Sequence, residues 1–161
     1  MADIPDSRGK RGVPPSKNKG LKVRQITAVT PIYIKNNAAA VIVKSLQRKW
    51  TKTGYRAVQA VTYDNTPTSG KPHVVTIIGQ DVKYERGMLK GDVPPVIQQR
   101  LLIDCDCDNH MYYWEYALYH HGSAKIRRSN GAAPVITNPG LVPGCCKHVY
   151  AVLKEMARVK Y

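Results

Sequence analysis

Leu101-Leu102-Ile103-Asp104-Cys105-Asp106-Cys107 is an apolar run ending on two cysteines one residue apart. Its counterpart lies downstream in Cys145-Cys146-Lys147-His148, and all four cysteines of the 161-residue chain fall in these two stretches. A Cys-x-Cys pair at the end of an extended segment can aim both sulfurs at one ion. A Cys-x-His pair on the first turn of a helix supplies two more donors, and the helix dipole lowers the cost of deprotonating Cys146. Three thiolates and one imidazole complete the tetrahedral shell of a structural Zn²⁺. The candidate metal ligands are therefore Cys105, Cys107, Cys146 and His148, with Zn²⁺ as cofactor. Cys145-x-x-His148 also reaches, so Cys145 stays open as a ligand, a buried thiol or a neighbour of the site. Two close cysteine pairs also fit core thiols or a Cys105–Cys146 disulfide. His110, His120 and His121 are spare donors that read as helix-surface residues, and His73 reads as structural.

Outward from these pairs, the elements on either side differ in kind. Residues 96–107 read as strand. Asp108 to His121 reads as a helix with Asp108 as N-cap and Gly122 as stop. Residues 123–144 read as loop. From Cys146 the chain reads as helix, with Val149, Val152, Leu153, Met156 and Val159 on one stripe and Lys147, Lys154 and Arg158 facing water. Upstream, 56–63 and 73–78 alternate around the turn-forming 64–72 and predict an antiparallel hairpin. Residues 23–34, rich in β-branched side chains, predict a strand interrupted at Pro31. Residues 36–50 predict a short helix capped at Asn36 or Asn37, with Val41-Ile42-Val43 as the strand alternative. The expected class is α+β, a small antiparallel sheet of four or five strands within 22–107 and a C-terminal zinc-clipped helical segment. Three units are expected: a flexible basic arm over 1–21, a β-rich domain over 22–97, and a zinc-binding segment with two helices over 98–161.

The order strand, Cys-x-Cys, insertion, Cys-x-His, helix resembles the SWIM-type zinc finger, C-x-C-x(n)-C-x-H, over about residues 98–161. Cys105, Cys107, Cys146 and His148 stand at its four positions. The 38-residue spacer with a helix inside departs from that family's β-hairpin. Residues 129–153, SNGAAPVITNPGLVPGCCKHVYAVL, with the tyrosine-rich helix before them, are similar to small virion structural proteins of large tailed bacteriophages. That resemblance implies a virion component made in the host cytoplasm, with other virion proteins as partners. It also implies a tail, baseplate or neck position within a larger assembly.

Charge sets the range of partners. There are 25 Lys+Arg against 11 Asp+Glu, a formal net charge of +14, which favours acidic partners, nucleic acid among them. Arg8, Lys10, Arg11, Lys17 and Lys19 line the proline-rich N-terminal segment, and Lys125, Arg127 and Arg128 cluster in the spacer. These eight are the candidate partner-binding residues, toward a neighbouring subunit or, as the alternative, nucleic acid. No stretch has the ~18 apolar residues of a membrane span, and the polar start has no apolar signal core. A closed Cys₃His shell leaves no coordination site for substrate, and no phosphate loop, nucleophile elbow or His-Glu-x-x-His occurs, so an enzyme is not expected. Asp104, Asp106 and Asp108 alternate around the cysteines and read as residues behind the ligands or facing solvent.

Overall fold

The computed structural model describes residues 19–65 and 70–161. Two short helices, α1 (Val23–Val29) and α2 (Ile32–Ala38), precede a four-stranded sheet. Its strands are β1 (Val41–Trp50), β2 (Tyr55–Asp64), β3 (His73–Lys83) and β4 (Leu101–Cys105), in the order β1-β2-β3-β4 with every neighbour antiparallel. A helical stretch begins at Asp108, has π character over His110–Trp114 and continues as α3 (Glu115–His120). After the long spacer, α4 (Lys147–Val159) packs against α2 and across β1, β3 and β4. The α+β class expected from the sequence is the one observed.

The segment 23–34 is helical, not extended. Ile26, Thr30, Ile34 and Ala38 are all buried and recur every four residues, which is the period of a helix face and not of a strand. Thr27 and Thr30 turn their hydroxyls back onto the carbonyls of Val23 and Ile26, so the β-branched residues are accommodated inside the helix. Pro31 does not interrupt a strand. It caps the start of α2, where its missing N–H costs nothing.

Residues 36–50 resolve the other way. Asn36 and Asn37 belong to the last turn of α2, and Val41-Ile42-Val43 open the edge strand β1, paired from Val41↔Asp64 to Trp50↔Arg56. Lys44, Arg48 and Lys49 along that strand discourage another strand from adding to it. The hairpin of β2 and β3 is present, with Thr62 opposite His73. β4 is shorter than the expected 96–107: Val96–Gln98 is a 3₁₀ turn following Pro94 and Pro95. Gln99, behind that turn, lies directly over Gly79, where any Cβ would collide with its carboxamide.

The core lies between one sheet face and the helices. Val58, Ala60, Val75, Ile77, Leu101 and Ile103 meet Ile26, Ile34, Trp114, Leu118 and the α4 stripe Val149, Val152, Leu153 and Met156. Lys154 and Arg158 face water as expected, but Lys147 is half-buried. Because Ile26 is fully buried and Val29 is 41% exposed on the same helix, Ile26→Ala should cost about 2–4 kcal/mol in urea unfolding and Val29→Ala under about 1. Equal effects would contradict the helical assignment.

Candidate metal centre

Cys105 ends β4, Cys107 lies two residues beyond it, and Cys146 and His148 sit at the N-cap and second residue of α4. All four are buried, and one donor atom from each lies within 4.8 Å of the other three. A tetrahedral ion with metal–sulfur bonds of about 2.3 Å needs donors roughly 3.8 Å apart, so the cluster fits a metal with small adjustments. All four cysteines are free thiols, and no disulfide joins Cys105 to Cys146. The candidate ligands thus come together from the end of β4 and the start of α4.

Cys145 points elsewhere. Its backbone N–H donates to Thr30 Oγ1 at 3.2 Å, its sulfur lies 3.5 Å from the same hydroxyl, and burial pushes its thiol up to about 12. A thiol held so firmly protonated is a core group that anchors the approach to α4 on the end of α1. Gly144, just before it, passes so close to Trp114 and Thr30 that a Cβ would lie 2.9 Å from the indole.

The electrostatics of the cluster suit a cation. Hydrogen bonding with Cys107 raises the Cys105 thiol, while burial and the two neighbouring sulfurs hold Cys146 well above its usual range. Cys107 is driven the opposite way by hydrogen bonds from Cys105 and Cys146. Three sulfurs in one buried pocket cannot all ionise alone, because each new thiolate is repelled by the last. A divalent ion removes that conflict and lets all three deprotonate.

Around the donors lies a ring of orienting groups. Asp64, the last residue of β2, sits 2.8 Å from His148 Nε2 and 3.1 Å from Lys147 Nζ. Burial works against its charge, but hydrogen bonds from Lys147 and His148 outweigh it and hold the carboxyl below the usual range. An ionised carboxylate only accepts, so the imidazole proton sits on Nε2. Nδ1, buried and without a hydrogen-bond partner, is left as the donor for the fourth corner. With a metal on Nδ1 this would be the carboxylate–histidine–metal arrangement, which fixes ring orientation and raises ligand basicity. Asp106, between the two ligating cysteines, accepts from the Val74 N–H and pairs with His73 Nδ1 at 3.1 Å, and the His73 ring packs on His148 at 4.4 Å. Asp64, His73 and His148 also form a cluster of their own, and His148 belongs to both.

A third cluster, Asp104, His110 and Glu115, has a different character. Both Glu115 oxygens already accept backbone N–H groups, from Arg127, Arg128 and Ser129. Asp104 is paired with the Arg128 guanidinium at 3.0 Å. Glu115 and Arg128 thus pin the spacer loop, while the second Asp104 oxygen is buried without a partner. His110 is fully buried, not a helix-surface residue, with neither ring nitrogen bonded to protein, and its backbone N–H donates to Cys107 Sγ.

The candidate partner-binding cations divide. Arg8, Lys10, Arg11 and Lys17 lie outside the described residues. Lys19 and Lys125 are exposed and Arg127 half-exposed, whereas Arg128 is committed inward to Asp104. Asp64 and Glu115 were missed as site residues. Nothing local in the sequence marks a strand-end aspartate as a histidine's partner 84 positions on, or a helix glutamate as a loop anchor. Compared with models of known protein families, with characterised proteins and with solved structures, the chain matches none.

Asp64→Ala should weaken metal binding about 10- to 100-fold in chelator competition, while Cys145→Ser leaves the stoichiometry unchanged. Affinity should fall with acid, because Cys105 and Cys146 give up protons on binding. His148 adds to this: burial lowers its pKa, but Cys107 and Asp64 more than offset that and raise it, so protons compete from a higher pH than for a free imidazole. In metal-free protein the sign reverses. The His148 contribution to stability is complete below the ordinary imidazole range and is lost as pH rises through the raised value. Melts of both forms across pH 5–9 check this, and parallel trends would contradict it. His110→Leu removes a buried imidazole without partners and should leave the melting temperature unchanged or raise it.

Proposed function

We propose that this chain is a non-enzymatic, zinc-stabilised structural module that docks onto neighbouring subunits of a larger assembly. The observation that carries the reading is the closed Cys₃His donor set, in which the protein itself supplies all four corners. A catalytic zinc keeps a position open for water or substrate, whereas a shell completed by side chains serves architecture. Thiolate-rich tetrahedral sites favour Zn²⁺ over the harder cations. The clasp joins β4 to the start of α4 and, through Asp64, the end of β2.

Exposed apolar side chains support docking. Val29, Ile32 and Tyr33 are exposed on α1 and α2, and Tyr112, Val135 and Ile136 on the adjoining helix and spacer, with Ile136 90% exposed. The spacer is bonded to this face by Thr137 and Asn138, which donate to the Tyr112 and Tyr113 carbonyls. Exposed apolar patches rimmed by tyrosine are characteristic of protein–protein contact. The likeness of residues 98–155 to tailed-phage virion proteins makes a virion our proposed setting, in tail, baseplate or neck. No helix among the described residues is long and apolar enough to cross a membrane. The +14 charge favours a second reading, a nucleic-acid-binding module.

Elemental analysis paired with native mass tests the central claim, with one zinc per chain expected. Cys146→Ser and His148→Ala should lose the metal and several kcal/mol of stability; an unchanged melt for both would refute the site. Ile136→Asp should reduce co-sedimentation with particles while zinc content stays constant.

A further inference from the structure

The sheet has a second face whose chemistry differs from the core side. Val75, Ile77, Leu101 and Ile103 turn inward, and the intervening Thr76, Ile78 and Leu102 are half-exposed on the opposite side. Two adjoining cavities of about 460 and 260 Å³ lie over this face and share Ile78, Leu102, Lys125 and Arg127. They form one trough with an apolar floor. Lys125 and Arg127 stand on the rim above β4, on the loop that Glu115 and Ser123 hold in place through the Arg127 and Ile103 N–H groups. Lys52 and Tyr55 close the end at the β1–β2 turn. On the β1 side Lys49 reaches Gln59, which also lines the trough. Asp104 is its one carboxylate among the described lining residues, and Arg128 already neutralises it. Among the described residues, three cations, Lys52, Lys125 and Arg127, therefore line the trough, with Lys49 beside it at Gln59.

We propose that this trough binds a short stretch of single-stranded nucleic acid, with phosphates on the Lys49, Lys52, Lys125 and Arg127 rims and bases over Ile78, Leu102 and the Tyr55 ring. A duplex hides its bases and has no use for an apolar floor, whereas a single strand presents π-faces and phosphates together. An acidic peptide would seek a strand edge, where backbone groups are available for pairing; the middle of a sheet face offers side chains alone. The inference rests on the nucleic-acid reading of the charge and gives it a location. It is independent of the zinc clasp and of particle docking.

The test is fluorescence anisotropy of a labelled thymidine strand of about 20 nucleotides with full-length, zinc-loaded protein at roughly 50 and 200 mM salt, a range over which phosphate binding responds steeply. Lys125→Glu combined with Arg127→Glu should weaken binding at least about tenfold and reduce the salt slope by about 0.7 for each phosphate that is no longer neutralised. Lys52→Glu, in an exposed turn, should weaken it several-fold. Lys154→Glu with Lys160→Glu, an equal charge change on the exposed side of α4, should change it less than about twofold. Equal weakening by both pairs, or unchanged binding in the trough variants, would overturn the site while leaving nucleic-acid binding in place. Absence of binding in the unmutated protein would overturn both. Displacement of the strand by polyglutamate at equal charge would assign the trough to an acidic protein instead.

Discussion

Three sulfurs and an imidazole are buried together where a strand end meets a helix start, and the sulfurs cannot all ionise there unless a cation joins them. Much of the structure around them follows from that constraint. Cys105 and Cys107 bring the end of β4, Cys146 and His148 bring α4, and Asp64 reaches in from β2 to hold the histidine proton. His73 and Asp106 add the start of β3. Three of the four strands thus converge at one end of the sheet on a single electrostatic problem, and the metal that resolves it would lock their register to the C-terminal helix.

Beside this clasp stands a second, metal-free solution to a related problem. Glu115 is a fully buried carboxylate whose charge is spread over the backbone N–H groups of three successive spacer residues, and Arg128 balances Asp104 next to it. Anchored this way, the spacer presents Lys125 and Arg127 to one side of the molecule and the exposed apolar Val135–Ile136 stretch to another. The two surfaces through which the protein is proposed to act are therefore displayed by one segment, held near Arg127 by Glu115 and near Ile136 by Thr137 and Asn138.

The closed shell and the displayed surfaces belong together. On the proposed reading, a metal with no free corner keeps its chemistry inside and leaves contact to the exterior. The apolar tyrosine-rimmed face suits a protein neighbour, and the basic trough suits a strand of phosphates. An assembly component that meets both protein and nucleic acid would use both.

How much of this was legible in the sequence depended on the range of the interactions involved. The candidate ligand set was readable because cysteine and histidine are the usual donors of a structural zinc and all four cysteines fall in two short stretches, with only Cys145 left open. The β2–β3 hairpin and α4 were readable because alternation and a 3.6-residue stripe are local signals. Residues 23–34 misled because β-branched side chains suggest strand, while the four-residue recurrence of Ile26, Thr30, Ile34 and Ala38, also present in the sequence, was the stronger indicator of what the core would accept. The rest had no local signal. That Asp64 would serve His148, that Glu115 would hold a distant loop, that Cys145 would turn toward Thr30 and Arg128 toward Asp104 were decided only when the chain closed on itself. Charge and hydrogen-bond partners are chosen by proximity in space, whereas residue type and spacing alone specified the donors and the period of each element.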